Sequence, residues 1–326
     1  MKVLVIRFSS IGDIVLTTPV VRCLKQQRGE IEVHYLTKEA FRMLVENNPN
    51  IDRCHFLGDD FAALVASLRA ERFDYIIDLH RNLRTRRVKR ALKVPSHSFH
   101  KLNVRKWLLT ALKINILPSL HIVDRYMKTV EFLQVRNDGR GLDYFINTPV
   151  PVDDLPLTHA AGYVGIAIGG ALGTKKLPLH KLRELCSLIP QPVVLLGGPE
   201  DAATGEVIAA DDPIKIYNAC GKFSLDESAD LVRRANILIT HDTGLMHIGA
   251  ALQRPILSVW GNTVPAFGMG PYYGAASSVG TRAFEVKPLW CRPCSKIGYA
   301  RCPLGNFKCM EKQDLEKIAE AVNFTK

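Results

Sequence analysis

Short apolar runs alternate with helix-length amphipathic stretches along almost the whole chain. Val3-Leu4-Val5-Ile6 predicts a strand with no exposed face, and the amphipathic segment Ile14–Gln27 follows it. Glu32–Leu36, Arg53–Leu57 and Tyr75–Leu79 predict three more strands, with helices over Glu39–Glu46 and Ala62–Glu71 between them. Strands that are apolar throughout, separated by amphipathic helices, belong to a parallel sheet covered on both faces.

Thr148–Pro156 breaks this rhythm: it holds three prolines and two acids and reads as a linker. The alternation then restarts. Strands are expected at Tyr163–Ile168, Val193–Leu196, Ile214–Tyr217, Ile237–Thr240 and Ile256–Trp260. Helices are expected at Leu179–Leu188, Glu200–Ala209, Leu225–Arg234 and Met246–Leu252. A last amphipathic helix, Met310–Val322, carries Leu315, Ile318, Ala319 and Val322 on one stripe. The fold class is therefore α/β, with two doubly wound, Rossmann-like domains. They span residues 1–155 and 156–309, and the terminal segment 310–326 is expected to pack back toward the first. Ligands in such sheets bind at the carboxyl ends of the strands, which directs attention to the loops that follow them.

Composition narrows the class. Of 326 residues, 47% are hydrophobic, too many for a disordered chain. No apolar run reaches the roughly 18 residues of a membrane span, and the apolar start of the chain is too short for a signal peptide, so a cytoplasmic protein is expected. The net charge of +11 is uneven: residues 1–155 carry 25 Lys/Arg against 17 Asp/Glu. Between Asp78 and Asp124 there are eleven basic residues and no acidic one. A solvated basic face is the plain reading; an anionic partner such as nucleic acid, an anionic membrane or a phosphorylated substrate is the functional one.

The loops after strands hold the candidate chemistry. Arg7-Phe8-Ser9-Ser10-Ile11-Gly12-Asp13 precedes a helix, and Asp13 is either an N-terminal cap or a general base. Gly169-Gly170-Ala171-Leu172-Gly173-Thr174-Lys175-Lys176 offers glycines, a hydroxyl and ammonium groups to phosphate. It lacks the P-loop pattern, and neither it nor the first loop has the dinucleotide fingerprint. Glu200 sits at a strand–turn–helix junction where an acid serves a ribose hydroxyl or simply starts a helix. His241-Asp242-Thr243-Gly244-Leu245-Met246-His247 opens a helix whose free N–H groups suit a diphosphate. His80-Arg81-Asn82-Leu83-Arg84-Thr85-Arg86-Arg87 heads the acid-free stretch and suits phosphate or carboxylate. Cys291, Cys294, Cys302 and Cys309 fall within nineteen residues. Four thiolates can hold zinc, but the uneven spacing favours reduced thiols packing a loop, or redox-labile pairs.

Taken together and in order, Ser9-Ser10-Ile11-Gly12-Asp13, Thr174-Lys175-Lys176-Leu177-Pro178, Asp242-Thr243-Gly244-Leu245-Met246-His247 and the tail Cys302-Pro303-Leu304-Gly305 resemble glycosyltransferase family 9. Its best-known members are the lipopolysaccharide heptosyltransferases. The resemblance covers nearly the whole chain and implies a GT-B fold with the active site between two domains. It implies an inverting, metal-independent transferase without a cofactor, whose substrate is a nucleotide sugar, commonly ADP-heptose. Asp13 matches the family's catalytic Asp and Lys175 its essential Lys, although Leu177 stands where a Trp is usual. Donor contacts carry over to Thr174, Asp242, Thr243, Gly244 and His247, and to Glu200 and Phe223. The acceptor, an anionic lipid A–core glycolipid, would meet Ser10, Gly12, His80, Arg81, Arg84, Arg86 and Arg87. The enzyme would sit peripherally on the inner face of the inner membrane, its basic N-terminal face against anionic lipid. A nucleotide-sugar epimerase of the same fold and a nucleic-acid-binding protein are the alternatives. The basic stretch has few interleaved aromatics and no nucleic-acid-binding signature, so no nucleic-acid partner is expected.

Overall fold

The computed structural model describes residues 1–151, 154–275 and 277–323. Contacts divide the chain into two compact units. One comprises Met1–Lys101, Leu120–Phe145 and Tyr272–Ala276; the other comprises Leu102–Ser119, Ile146–Pro271 and Ser277–Lys326.

The first unit is built on a parallel sheet of β1 (Lys2–Ile6), β2 (Glu32–Lys38), β3 (Arg53–Leu57), β4 (Tyr75–Asp78) and β5 (Ser96–Ser98), in the order β3-β2-β1-β4-β5. Central β1 pairs Val5 with Tyr35 on one side and with Ile77 on the other, and Val3 to Ile6 are fully buried, as the unbroken apolar run requires. The helices of this unit are α1 (Ile11–Val15), α2 (Thr18–Gln27), α3 (Phe61–Ala70), α4 (Leu83–Leu92) and α6 (Ile122–Met127), while α5 (Asn103–Leu112) falls in the second unit. Leu64, Leu68 and Val88 from α3 and α4 pack on Leu4, Ile6 and Ile76. The helix expected over Ile14–Gln27 is divided, because Pro19 has no N–H to donate and fits only a first turn, that of α2. Glu39–Leu44 is a 3-10 turn with Phe41 outside helical geometry, where a helix was expected. Arg22 of α2 is buried and donates to Asp138, Asp143 and the Gly141 carbonyl, tying the segment after α6 to the sheet's helical layer.

The second unit carries β6 (Val164–Ala167), β7 (Val193–Leu196), β8 (Ile216–Asn218), β9 (Ile237–His241), β10 (Ile256–Trp260) and β11 (Thr281–Glu285), in the order β11-β10-β9-β6-β7-β8. Its further helices are α7 (Leu179–Leu188), α8 (Ala202–Ala209), α9 (Leu225–Arg234), α10 (Gly244–Ala251), α11 (Lys308–Glu311) and α12 (Leu315–Asn323). All strands in both sheets run parallel, as expected of doubly wound halves.

Further boundaries differ from the sequence reading. The single helix expected at Met310–Val322 is two, α11 and α12, with Gln313 between them donating to the carbonyls of Trp260 and Cys309. α12 packs on α7 and β10 within the second unit, where its apolar stripe joins the core around Leu182, Leu185 and Cys186; residues 324–326 lie outside the described residues. The expected linker is anchored at its start, since Thr148 N donates to Asp226 and Val150 N to Asp230, both on α9. Besides Leu102–Ser119, the second unit therefore takes in Ile146–Pro271, starting ahead of the boundary expected at residue 155, and the linker positions Val152 and Asp153 lie outside the described residues.

Candidate functional site

In the first sheet the strand order reverses between β1 and β4, so the loops after these two strands flank a topological switch point. Asp13 and His80 stand on those loops. Ser10 is the N-cap of α1 and Asp13 is its N3 residue. The Ser10 N–H and hydroxyl donate to Asp13 Oδ2 at 3.2 and 3.1 Å. Arg7 Nη2 reaches the same oxygen at 2.7 Å. Arg7 is buried and is itself held by Ser9 O at 2.7 Å, Leu79 O at 2.6 Å and Tyr126 Oη at 2.8 Å. Its fork thus connects the loop after β1 to the end of β4 and to α6. The charge stays in place: the attraction of Tyr126 and Asp13 outweighs the larger opposing effect of burial, and the pKa lies above the ordinary value.

Buried Asp78 closes β4 and accepts from the backbone N–H groups of His80 and Arg81 at 3.1 and 2.6 Å, and from Lys89 at 2.9 Å. That sets the loop in which His80 stacks edge-on against Phe8 at 5.6 Å. Burial lowers the His80 pKa to about 4, and Arg7 and Lys101 push in the same direction, so its imidazole is neutral at pH 7. Its Nδ1 is buried and has no hydrogen-bond partner among the described residues. Arg84, Arg86 and Arg87 line the first turns of α4 and are exposed. Arg87 lies over Phe61, and none of the three has an ion-pair partner among the described residues. Positive charge at a helix N-terminus opposes the helix dipole, so this cluster is relieved by an anion.

The second sheet reverses order between β6 and β9, and two of the sequence motifs meet there. Lys175 Nζ pairs with Asp242 Oδ2 at 2.7 Å and approaches the Asp242 carbonyl at 3.3 Å. Thr263 Oγ1 donates to the same carboxylate at 3.0 Å. A Cβ on Gly170 would come within 3.4 Å of the Thr243 methyl, so the loop after β6 lies against the start of α10. Thr243 is the N-cap of α10 and Gly244 its first residue, and both are half-buried. His247 is buried within that helix. The result is an ammonium group beside a helix N-terminus, a combination suited to phosphate oxygens.

The remaining candidates are arranged differently from the sequence reading. Thr174 is buried and its hydroxyl is committed to Tyr299, accepting from N at 2.8 Å and donating to O at 2.9 Å. Asp242 holds Lys175 and does not face outward alone. Glu200 is exposed on the turn after β7, and half-buried Phe223 precedes α9 after β8; both sit at carboxyl ends of neighbouring strands. The neighbouring Asp201 is buried and pairs with Lys176 at 3.0 Å. Cys291, Cys294, Cys302 and Cys309 are free thiols. Burial pushes the Cys309 thiol up to about 12 and raises that of Cys294. Among the described residues, the one group of His, Cys, Asp or Glu with three ligand atoms within 4.8 Å of one another is His34, His55 and Glu71, not the cysteines. Sequence reasoning missed Arg7 as the partner of Asp13, together with Thr263 and Tyr299. Each is joined to its partner by the fold and not by spacing, except Arg7, whose place in the same loop was the available signal.

Residues 61–299 match the model of glycosyltransferase family 9 (heptosyltransferase). The lipopolysaccharide heptosyltransferase 1 of Campylobacter coli is 26% identical over 293 residues, covering 81% of this chain and 84% of that protein. The lipopolysaccharide heptosyltransferase 2 of Escherichia coli K12 is 24% identical over 294 residues, covering 82% and 84%. The solved structure of E. coli ADP-heptose heptosyltransferase II superposes with a TM-score of 0.71 at 20% identity, covering 100% of this chain and 98% of that one. An E. coli heptosyltransferase with ADP-2-deoxy-2-fluoro heptose gives 0.71 at 20% identity, covering 100% of both chains. These likenesses support the two-domain GT-B architecture, and the family match extends over most of both units. The chain belongs to glycosyltransferase family 9, the heptosyltransferases, and is a glycosyltransferase.

Proposed function

We propose that the protein moves a heptose from ADP-heptose to the anionic core of a lipid A acceptor, with inversion and without a metal ion. The acceptor hydroxyl attacks the anomeric carbon, and the bond from that carbon to the diphosphate oxygen breaks. Asp13 takes the hydroxyl proton as general base. ADP leaves with the bonding electrons, and its growing negative charge falls to Lys175 and the N–H groups that open α10. Such preorganised donors are worth about 3–4 kcal/mol each in comparable sites, enough to take over the role of a divalent cation. Asp242 acts by holding Lys175. Glu200 and Phe223 serve the ribose and the base, His80 and the Arg81, Arg84, Arg86 and Arg87 cluster meet acidic groups of the acceptor, and Ser10 and Gly12 shape the loop that carries Asp13. The enzyme works as a peripheral protein on the inner face of the inner membrane; no helix among the described residues is long and apolar enough to cross one.

The observation that carries this reading is the 2.7 Å Lys175–Asp242 pair beside the start of α10, which supports an anion site built from protein groups. Replacing Asp13 with Asn keeps an oxygen for the Ser10 donors and removes the base. We expect kcat to fall by about 10²–10⁴ while ADP affinity stays within about threefold. A variant that transfers at the wild-type rate would remove Asp13 from the chemistry. Product analysis with and without a chelator tests the metal-free claim: loss of turnover on chelation would sink it.

A further inference from the structure

The face that α5 turns away from its own unit is apolar. Leu109 is its buried anchor, packed with Val264 and Phe267. Val104, Trp107 and Ala111, spaced i, i+3 and i+7, share the opposite face, where a surface helix ordinarily carries polar residues. Val104 is exposed and Trp107 is 54% exposed, and the run continues through exposed Leu112, Ile114 and Ile116. Lys113 at the end of the helix donates to the carbonyls of Cys291 and Pro293 at 3.3 and 2.8 Å, which brings the segment after β11 alongside. That segment adds Trp290, 76% exposed, and exposed Ile297. Clusters of exposed large apolar side chains on a soluble protein mark an interaction surface.

The charge around this surface identifies what it meets. Residues 102–119 hold Arg105, Lys106 and Lys113 and no acid. Between Glu285 and Glu311 there are five basic residues and again no acid; Lys287 and buried Arg292 pair with Glu285, and Lys296, Arg301 and Lys308 are exposed with no ion pair among the described residues. Two acid-free segments that are distant in the sequence are thus brought together, each mixing exposed tryptophan and aliphatic residues with lysine and arginine. A second copy of the same face would meet it with like charge. Tryptophan at the depth of lipid headgroups, with basic side chains reaching anionic phosphates, is the composition of an interfacial helix. The surface also adjoins the donor half of the site, because Tyr299 of the same segment is bonded to Thr174, next to Lys175.

We propose that α5 and the 290–297 segment form a docking surface for an anionic phospholipid bilayer, inserting Trp107 and Trp290 at headgroup level. The proposal rests on the peripheral-membrane part of the function above and deepens it. It assigns the apolar contact to the second unit, apart from the arginines of α4.

The test uses the full chain with vesicles of phosphatidylcholine, with and without phosphatidylglycerol, and no glycolipid. We expect the protein to sediment with the anionic vesicles at least about tenfold more strongly than with neutral ones, since each well-placed basic residue is worth about fivefold. Tryptophan emission should move to the blue, because the third tryptophan, Trp260, is already buried. Trp107→Ser combined with Trp290→Ser should cut vesicle binding at least about tenfold, leaving melting temperature, ADP binding and transfer to a water-soluble, deacylated acceptor unchanged. Wild-type protein that ignores anionic vesicles would overturn the proposal, as would a double variant that binds them equally well. A wild-type dimer that the double variant dissociates would also overturn it, by assigning the face to a second copy. Vesicle binding that depends on both tryptophans, in a protein that transfers no sugar, would support the docking surface while removing the transferase reading.

Discussion

Arg7 is the side chain through which the first unit controls Asp13, and replacing it with methionine tests that control. Methionine keeps the length of the apolar stem and removes every polar contact. The loss comprises the 2.7 Å pair with Asp13, two bonds to the carbonyls of Ser9 and Leu79, and one to the Tyr126 hydroxyl. Breaking a buried ion pair by removing one partner costs about 3–5 kcal/mol. The Asp13 side chain retains 21% of its exposure, so water takes up part of the uncompensated charge, and a cost of about 2–3 kcal/mol is expected. For a unit of this size that lowers the melting temperature by about 5–10 °C. The catalytic effect is separate. Without the Arg7 fork the carboxylate loses the donor that fixes its orientation, and misplacement of a reacting group by about 1 Å costs about 10² in rate. Initial-rate kinetics should therefore show kcat reduced about a hundredfold with KM for the donor within about threefold, since the proposed ADP contacts lie on other residues. Arg7→Lys restores the charge but cannot span all four partners, so it should recover part of kcat. A methionine variant that melts early yet keeps kcat within twofold would refute the positioning role and leave Arg7 a structural residue alone.

Lys175→Met should weaken ADP binding in calorimetry and lower kcat by about 10²–10³, and unchanged ADP affinity would place that lysine outside the donor site. Arg84→Glu combined with Arg86→Glu should raise KM for the acceptor at least about tenfold while sparing ADP binding, because these arginines are exposed and unpaired among the described residues; equal loss of both would indicate misfolding. Acid should destabilise the fold through His241, whose pKa burial lowers to about 4 against 6.5 when unfolded. The unfolded chain then binds the extra proton, so stability is intact above pH 6.5 and falls as pH drops toward 4, by up to about 3 kcal/mol. His55 and His80, both lowered to about 4, act in the same sense, and urea melts that stay level between pH 7 and pH 4.5 would contradict the assignment.

What the sequence shows plainly is what is local. β1 is buried on both faces, and an unbroken apolar run has no other stable place in an α/β fold. The start of α2 is legible from Pro19 for the same reason: the constraint lies within one turn. The acid-free stretch is legible as composition, but its division is not. Arg84 to Arg87 stay with the first unit, whereas Arg105, Lys106 and Lys113 fall in the second. α5 is less legible, because its apolar positions spread around most of the helix and, apart from Arg105, leave only a narrow polar face at Asn103, Lys106 and Thr110. The cysteines mark the opposite case, where spacing is conspicuous and the thiols nevertheless do not gather as a three-atom ligand group. Lys175 and Asp242 were each legible as candidates, but their pairing across 67 residues exists only because β6 and β9 are neighbours.

Asp13 shows why two readings that look exclusive in a sequence need not be so in a fold. A cap and a general base both call for a carboxylate at the start of a helix, and spacing alone cannot separate them. The structure makes Asp13 the N3 partner of Ser10 and gives the same oxygen a third donor in Arg7. The bond from the Ser10 N–H to Asp13 already satisfies the cap without Arg7. A buried arginine with three further bonds of its own adds nothing that a helix of five residues requires, and it costs the desolvation of a full charge. Its effect is to hold the carboxylate in one orientation at the carboxyl end of β1, where this class of sheet binds its ligands. The capping geometry would thus aim the proposed base, and the surplus donor is the structural argument for proposing Asp13 as chemistry.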